Sequence, residues 1–469
     1  MADRVKKLKV NLRVNGIGLN NHLFPIILSV LLLLAVKACF YKRSSSRFSN
    51  MKLPPGPMQL LVIGNLHQLV GAPFHVVLHE LSKSYGPICH LKLGQVSFVS
   101  VTSSEGAKEV LKAQELRFAQ REKLPIMEMT SFDHNGITFS PYGEYWKKVR
   151  KICMMEILDT SGIGQQHFKS LRELEISALV ESVRCTSQLP FNVSEMIFAC
   201  ANSIISKASF GSQCKRPDEY RLAIKEQFCL AGQFSFPMVF PSLQFLYHLD
   251  GTKAKMVRLH AVYNDILGSI ITEIRIRAKS GDHSSSHEEN LVDVLLRLQE
   301  SPEKTGISLT DNMIKDIIND MIGGGTDTLP TAVECGLSEM LKNPDVMEKA
   351  QAELRDALKG KAILEETDLE KISYLKLIIK ETFRMHPAAT VYERVAREDC
   401  VVHGYDIPKD ARVVINPWSL RRDPNYWENQ RNSIPRDSRD LPLTWLGTIS
   451  SFSCSVRGRG RVPQKGSRS

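Results

Sequence analysis

The chain has 469 residues, 43% of them hydrophobic and 24% charged, an ordinary globular composition that excludes wholesale disorder and collagen-like or low-complexity architectures. Its formal net charge is +10, yet from Arg431 onward there are eight Lys/Arg against two acids, so more than half of the excess sits in that tail. The near-balanced remainder argues against a nucleic-acid-binding body. Ten scattered cysteines (39, 89, 153, 185, 200, 214, 229, 335, 400 and 454), with no Cys-x-x-Cys pair, read as reduced thiols of a cytosol-facing protein; neither a disulfide framework nor a metal-ligating cluster is expected.

Residues 1–22 are basic, and residues 23–41 form an apolar run interrupted only by Ser29 and Lys37. Nineteen residues approach the ~20 that a helix needs to cross a hydrocarbon core, so a transmembrane anchor is expected. A cleaved signal peptide is the weaker reading, because no small-x-small site follows. Basic residues flank the run equally on both sides and leave its orientation open. Residues 42–57 make a basic, proline-rich linker ending in Leu53-Pro54-Pro55-Gly56-Pro57, which reads as a stiff spacer. The body, residues 58–429, opens with a helix pattern over 74–85 and alternation over 88–93 and 97–101, a short hairpin. From Glu105 to about Arg384 the pattern is helical, with breaks at Pro190, at Pro237–Pro241 and in the polar run 280–287. Strand character returns over 401–414 around a turn at 404–408. The fold class is mainly α with a minor β part. The glycosylation sequon Asn192-Val193-Ser194 is taken as chance in a cytosol-facing domain. Residues 430–469 form an aberrant basic tail, expected to be disordered.

Three groups of residues carry chemistry. Trp146 and Arg150 share a helix face at i, i+4; an indole N–H beside a guanidinium suits a carboxylate, although a core Trp with a surface Arg is the simpler alternative. Gly323-Gly324-Gly325 precede Thr326-Asp327-Thr328 within a helical pattern. Glycines inside a helix cost about 1 kcal/mol each and clear space for something flat against the backbone, while Asp327 and Thr328 could relay protons; a plain Gly-rich loop fits equally well. Glu381 and Arg384 are spaced for an intrahelical ion pair, which on these residues alone reads as exposed and worth under ~1 kcal/mol.

In this order, with Pro54–Pro57 before them and the stretch from Glu398 to Trp427 behind, these features resemble the cytochrome P-450 family, in particular its plant microsomal members. The resemblance spans residues 23 to 428 and implies a cytochrome P-450-like fold, incomplete at the C-terminus, with an N-terminal transmembrane helix in the endoplasmic reticulum membrane. It implies a membrane-bound monooxygenase acting on a small lipophilic metabolite, with haem as cofactor and an NADPH-dependent flavoprotein reductase as partner. By the resemblance, Trp146, Arg150 and Arg394 hold a propionate, Gly324 and Gly325 lie against the porphyrin, Asp327 and Thr328 form the proton relay, and Glu381 with Arg384 braces the loops.

Two departures stand out. Pro330 follows the relay closely, and a proline inside a helix costs ~3 kcal/mol and kinks it. The family's Phe-x-x-Gly-x-Arg-x-Cys-x-Gly string is absent, and Cys454 has Gly-x-Arg after it. Without the thiolate, oxygen–oxygen cleavage in the family's manner is lost. A one-base slip near Asn429 accounts for this: regrouping the codons of Gln430 to Ser438 permits Pro-Glu-Glu-Phe-Asn-Pro-Glu-Arg-Phe, the kind of segment the family places before its haem loop. Two other readings stand beside the defective monooxygenase: a haem-free, membrane-anchored binding protein, and a nucleic-acid-binding tail at Arg457-Gly458-Arg459-Gly460-Arg461.

Overall fold

Two stretches of alternating polarity close the first piece of the fold. In the computed structural model, which describes residues 51–427 except 122–124, 133–135, 155–162, 187–189, 212–214, 233–235, 249–250, 281–288 and 362–364, Ile88–Leu93 (β1) and Val96–Val101 (β2) form an antiparallel hairpin. Its two-residue loop works because Gly94 takes φ +58°, the left-handed conformation that such loops require. Tyr392–Val395 (β3), Cys400–Val402 (β4), Tyr405–Ile407 (β5) and Arg412–Ile415 (β6) follow late in the chain. β2 pairs in parallel with β6 and β6 antiparallel with β3, giving the order β1-β2-β6-β3, while β4 and β5 pair separately. The expected anchor (23–41), the tail (430–469) and Cys454 lie outside the described residues. No described helix is long and apolar enough to cross a membrane.

Among the described residues ten helices have nine residues or more: α1 (Phe74–Tyr85), α2 (Glu144–Ile152), α3 (Ile163–Thr186), α4 (Val193–Phe210), α5 (Pro217–Gly232), α6 (Thr252–Lys279), α7 (Leu291–Gln299), α8 (Asp311–Lys342), α9 (Pro344–Leu358) and α10 (Tyr374–Met385). α8 is central. Thr310 caps its start, accepting the Met313 N–H at 3.2 Å, and its isoleucines 314, 317, 318 and 322 join Tyr263, Leu267, Val292 and Leu295 in the largest core. Burying a side chain of that size contributes roughly 1.5–3 kcal/mol. Two further cores form where the strands meet neighbouring segments, one with Val110 and Phe118 and the other with Leu78 and Phe240.

The chain divides into two units. One is the N-terminal segment through Leu53 with Leu60–Val62; the other is Pro54–Gln59 with the chain from Ile63 onward. Within the second unit the proline segment is fastened to β1, not a free spacer. The Pro55 carbonyl accepts the His90 N–H at 2.9 Å, and a Cβ on Gly56 would lie 2.0 Å from the His90 oxygen, so only glycine fits.

The exposed ion pair expected from Glu381 and Arg384 alone is overturned. Both side chains are 0% exposed. Arg384 grips Glu381 through Nε at 2.8 Å and Nη2 at 2.7 Å and donates Nη1 to the Arg421 carbonyl at 2.9 Å. Its guanidinium lies 4.7 Å from the Trp427 ring centre. In return Arg421 donates to the Phe383 carbonyl and Arg422 to the Met385 carbonyl. Asn416 delivers the chain to this place: its Nδ2 donates to the His75 carbonyl at 2.7 Å and its Oδ1 accepts the Ser419 N–H at 3.0 Å. The end of α10 is thereby bolted to the loop that follows β6. Removing one partner of such a pair leaves a buried charge uncompensated, so Glu381→Ala is expected to cost about 3–5 kcal/mol. A urea unfolding midpoint equal to that of the parent would contradict this account of the bolt.

Candidate active site

The glycine run is helix, not loop: α8 continues from Asp311 to Lys342 with Pro330 inside it. The hydroxyls of Thr326, Thr328 and Thr331 each donate to the carbonyl four residues back, at 2.7, 2.8 and 2.8 Å. Pro330 has no N–H to give the Thr326 carbonyl, so the backbone ladder of the helix has a gap just where the relay residues stand. Asp327 and Thr328 are exposed beside it. The glycines divide between two tasks. A Cβ on Gly324 would meet nothing within 4 Å, whereas one on Gly325 would sit 3.1 Å from Ile205 of α4. Gly324 therefore offers an open backbone face, and Gly325 permits close packing of two helices.

Trp146 is buried on α2, and its indole N–H donates to the Ile137 carbonyl at 2.8 Å; in this structure that donor is engaged within the protein. The Arg150 guanidinium lies 5.3 Å from the Trp146 ring centre, a consequence of their i, i+4 spacing. Arg394, on β3, is 6% exposed. Burial foremost, and then the charge of Arg121, pushes its pKa down to about 9. Arg421 is also buried, its Nε without a hydrogen-bond partner, and desolvation lowers its pKa. The neighbouring Tyr392 phenol feels both arginines. Buried guanidinium groups held at this cost form a region of positive potential suited to carboxylates.

Haem presents such carboxylates and a flat ring. The arginines and the bare Gly324 face fit those parts. The axial ligand does not fit: Cys89 and Cys400 are buried thiols that desolvation pushes up to about 11, and no described cysteine lies in a haem-ligand string. No reaction step through the group follows from the described residues.

Beside α8 lies a cavity of about 160 Å³, lined by residues of the 120–121, 127–131 and 136–141 stretches, α5 and α8, with Asp316, Asn319, Asp320 and Gln227 on its wall. The motif reading did not single out the three α8 residues. Their signal is polar residues at 316, 319 and 320 set among the buried Ile314, Ile317, Ile318 and Ile322. Both acids clamp the preceding segment. Asp316 accepts the Phe132 N–H at 2.8 Å, and Asp320 accepts the Thr138 N–H at 2.9 Å. Glycine at 136 lets the carboxylate approach: a Cβ there would lie 2.4 Å from Asp320 Oδ2 and would push it aside. Across the cavity Gln227 accepts from the Tyr263 hydroxyl at 2.8 Å and donates to Thr130 Oγ1 at 2.7 Å.

Desolvation, opposed by the Thr138 N–H and reinforced by Asp316, raises the Asp320 pKa from 3.8 to about 6. Because the folded value lies above the unfolded one, the stabilising contribution is complete below pH 3.8 and is lost as pH rises through 6. The full span is about 3 kcal/mol. Asp320→Asn keeps an acceptor for Thr138 and removes the charge. Its thermal stability relative to the parent is therefore expected to improve between pH 4.5 and pH 7.5; a constant difference across that window would show that the carboxylate bears no such cost.

The cytochrome P450 family profile matches residues 54–431. A melianol synthase of Citrus sinensis is 40% identical over 407 residues, 86% of this chain and 78% of that one. A premnaspirodiene oxygenase of Hyoscyamus muticus is 37% identical over 440 residues, 93% of this chain and 87% of its own. Among solved structures, a zebra fish cytochrome P450 with progesterone superimposes with a TM-score of 0.68 at 19% identity, covering 79% of this chain and 85% of that one, a likeness of fold. The mainly helical architecture with its small sheet, the cavity against the glycine-bearing helix and the buried arginines thus have their place: the chain belongs to the cytochrome P450 family, whose members are haem-dependent monooxygenases.

Proposed function

We propose that the gene encodes a monooxygenase anchored in the endoplasmic reticulum membrane, which inserts one oxygen atom of O2 into a small lipophilic metabolite with electrons from NADPH through a flavoprotein reductase, and that the chain as written is a defective version of it. The observation that carries this reading is the placement of the cavity and the open Gly324 face on the same helix, α8. Haem supplies the oxygen chemistry in this family. In an intact version Arg394, Arg150 and Trp146 would hold its carboxylates, the indole exchanging its bond to the Ile137 carbonyl for one to a carboxylate. In that version the Asp327 carboxylate and the Thr328 hydroxyl would hold and pass protons at their oxygens. Thr328 Oγ1 donates to the Gly324 carbonyl and keeps its lone pairs for a second donor. The exposed Lys147, Lys148 and Lys151 of α2 support docking of an acidic electron donor, because such a patch steers an oppositely charged partner.

The second reading, a haem-free membrane-anchored binding protein on the same scaffold, rests on the lack of a Phe-x-x-Gly-x-Arg-x-Cys-x-Gly string in the sequence. One experiment separates the two. The chain as written is expected to show no red-shifted carbon monoxide band after haem reconstitution and reduction. A version with one base inserted ahead of the Gln430 codon, and with the haem loop restored downstream, is expected to show it. A normal band from the unaltered chain would refute the reading of the tail. No band from the restored chain would leave only the binding protein.

A further inference from the structure

A cavity of about 160 Å³ is comparable with the ~150 Å³ cavity that holds a benzene ring, so it suits one ring of a larger molecule. Two adjacent residues of α8 lining it differ in what they present. The Asn319 carboxamide is oriented by Tyr220, whose hydroxyl donates to Asn319 Oδ1 at 3.0 Å. That bond commits the oxygen and turns the Nδ2 protons into the available function. Asp320 is the complement: a carboxylate that receives the Thr138 N–H at 2.9 Å, the Ile137 N–H and the Thr138 hydroxyl, leaving about one of its roughly four lone-pair positions for a ligand. A donor and an acceptor side by side satisfy a hydroxyl group, which needs one of each. A ketone would meet only the amide, and a bare hydrocarbon would desolvate both at a loss.

We infer that Asn319 and Asp320 form a hydroxyl-recognising pair in the cavity, so that the preferred substrate is a lipophilic molecule already carrying an alcohol on the ring it inserts here. The inference rests on the monooxygenase reading in taking the cavity as the substrate site. It places the enzyme after a reaction that installs oxygen by hydroxylation or hydration, rather than on an unfunctionalised hydrocarbon. Sites built around a substrate hydroxyl reject analogues that lack it far more strongly than apolar pockets reject a missing methylene.

The test is equilibrium binding of cyclohexanol, cyclohexanone and cyclohexane to the full chain in detergent at pH 7.5, followed by ligand-observed NMR. The alcohol is expected to bind at least tenfold more tightly than either analogue. Asn319→Asp keeps an acceptor for Tyr220 and deletes the donor, so the preference of alcohol over hydrocarbon is expected to fall below threefold. Partitioning into detergent is common to both proteins and cancels in that comparison. If the variant does not fold, as judged by thermal unfolding, the preference of the parent decides alone. Equal binding of alcohol and hydrocarbon, an undiminished preference in a folded Asn319→Asp, or binding of none of the three overturns the proposal. The measurement needs no haem, so its failure leaves the monooxygenase reading to be judged by the carbon monoxide band.

Discussion

The buried pair of Glu381 and Arg384 is the constraint on which the arrangement depends. Two charges removed entirely from water are tolerated only when their geometry is good and the remaining polar atoms are satisfied. Here the guanidinium meets the carboxylate with two parallel bonds and spends its third nitrogen on the Arg421 carbonyl. Because that acceptor belongs to the segment after β6, the energetic demand of one helix turn dictates where a strand about thirty residues later must end. The parallel pairing of β6 with β2 extends the same constraint to the first hairpin. Arg421 and Arg422 return the bonds to the last carbonyls of α10, where cations also suit the negative end of the helix dipole.

α8 works on two sides. Toward α4 it uses Gly325 to pack tightly, and toward the 120–141 segment it uses Asp316 and Asp320 to hold backbone N–H groups. The price of that second use is a desolvated carboxylate, visible in the raised pKa of Asp320. A buried acid can instead be paired with a cation; here it is tied to a peptide N–H and faces a cavity. On the inference drawn above, this leaves an acceptor with residual capacity at the wall where the substrate arrives, so lipophilicity is only part of what the cavity selects. The body of the ligand can be apolar while one ring answers a polar pair.

The sequence by itself determined the mainly α class with a minor sheet, the helix over Phe74–Tyr85, the hairpin that follows it and the strands around Gly404, because these depend on local periodicity and on turn residues with few alternatives. It also assembled the motifs that identify the family, since those are written at short spacing. What only the tertiary structure decided were the matters that turn on burial and on distant partners. The ion pair of α10 could not be known as buried until Arg421 and Trp427 were laid against it. Gly324 and Gly325 are equivalent as letters, and only the presence of Ile205 beside one and open space beside the other divides their roles. The polar pair in the cavity was illegible for the same reason: whether an Asp inside an apolar helix faces solvent, a loop or a ligand is settled by the surfaces packed around it, which the spacing along one helix does not encode.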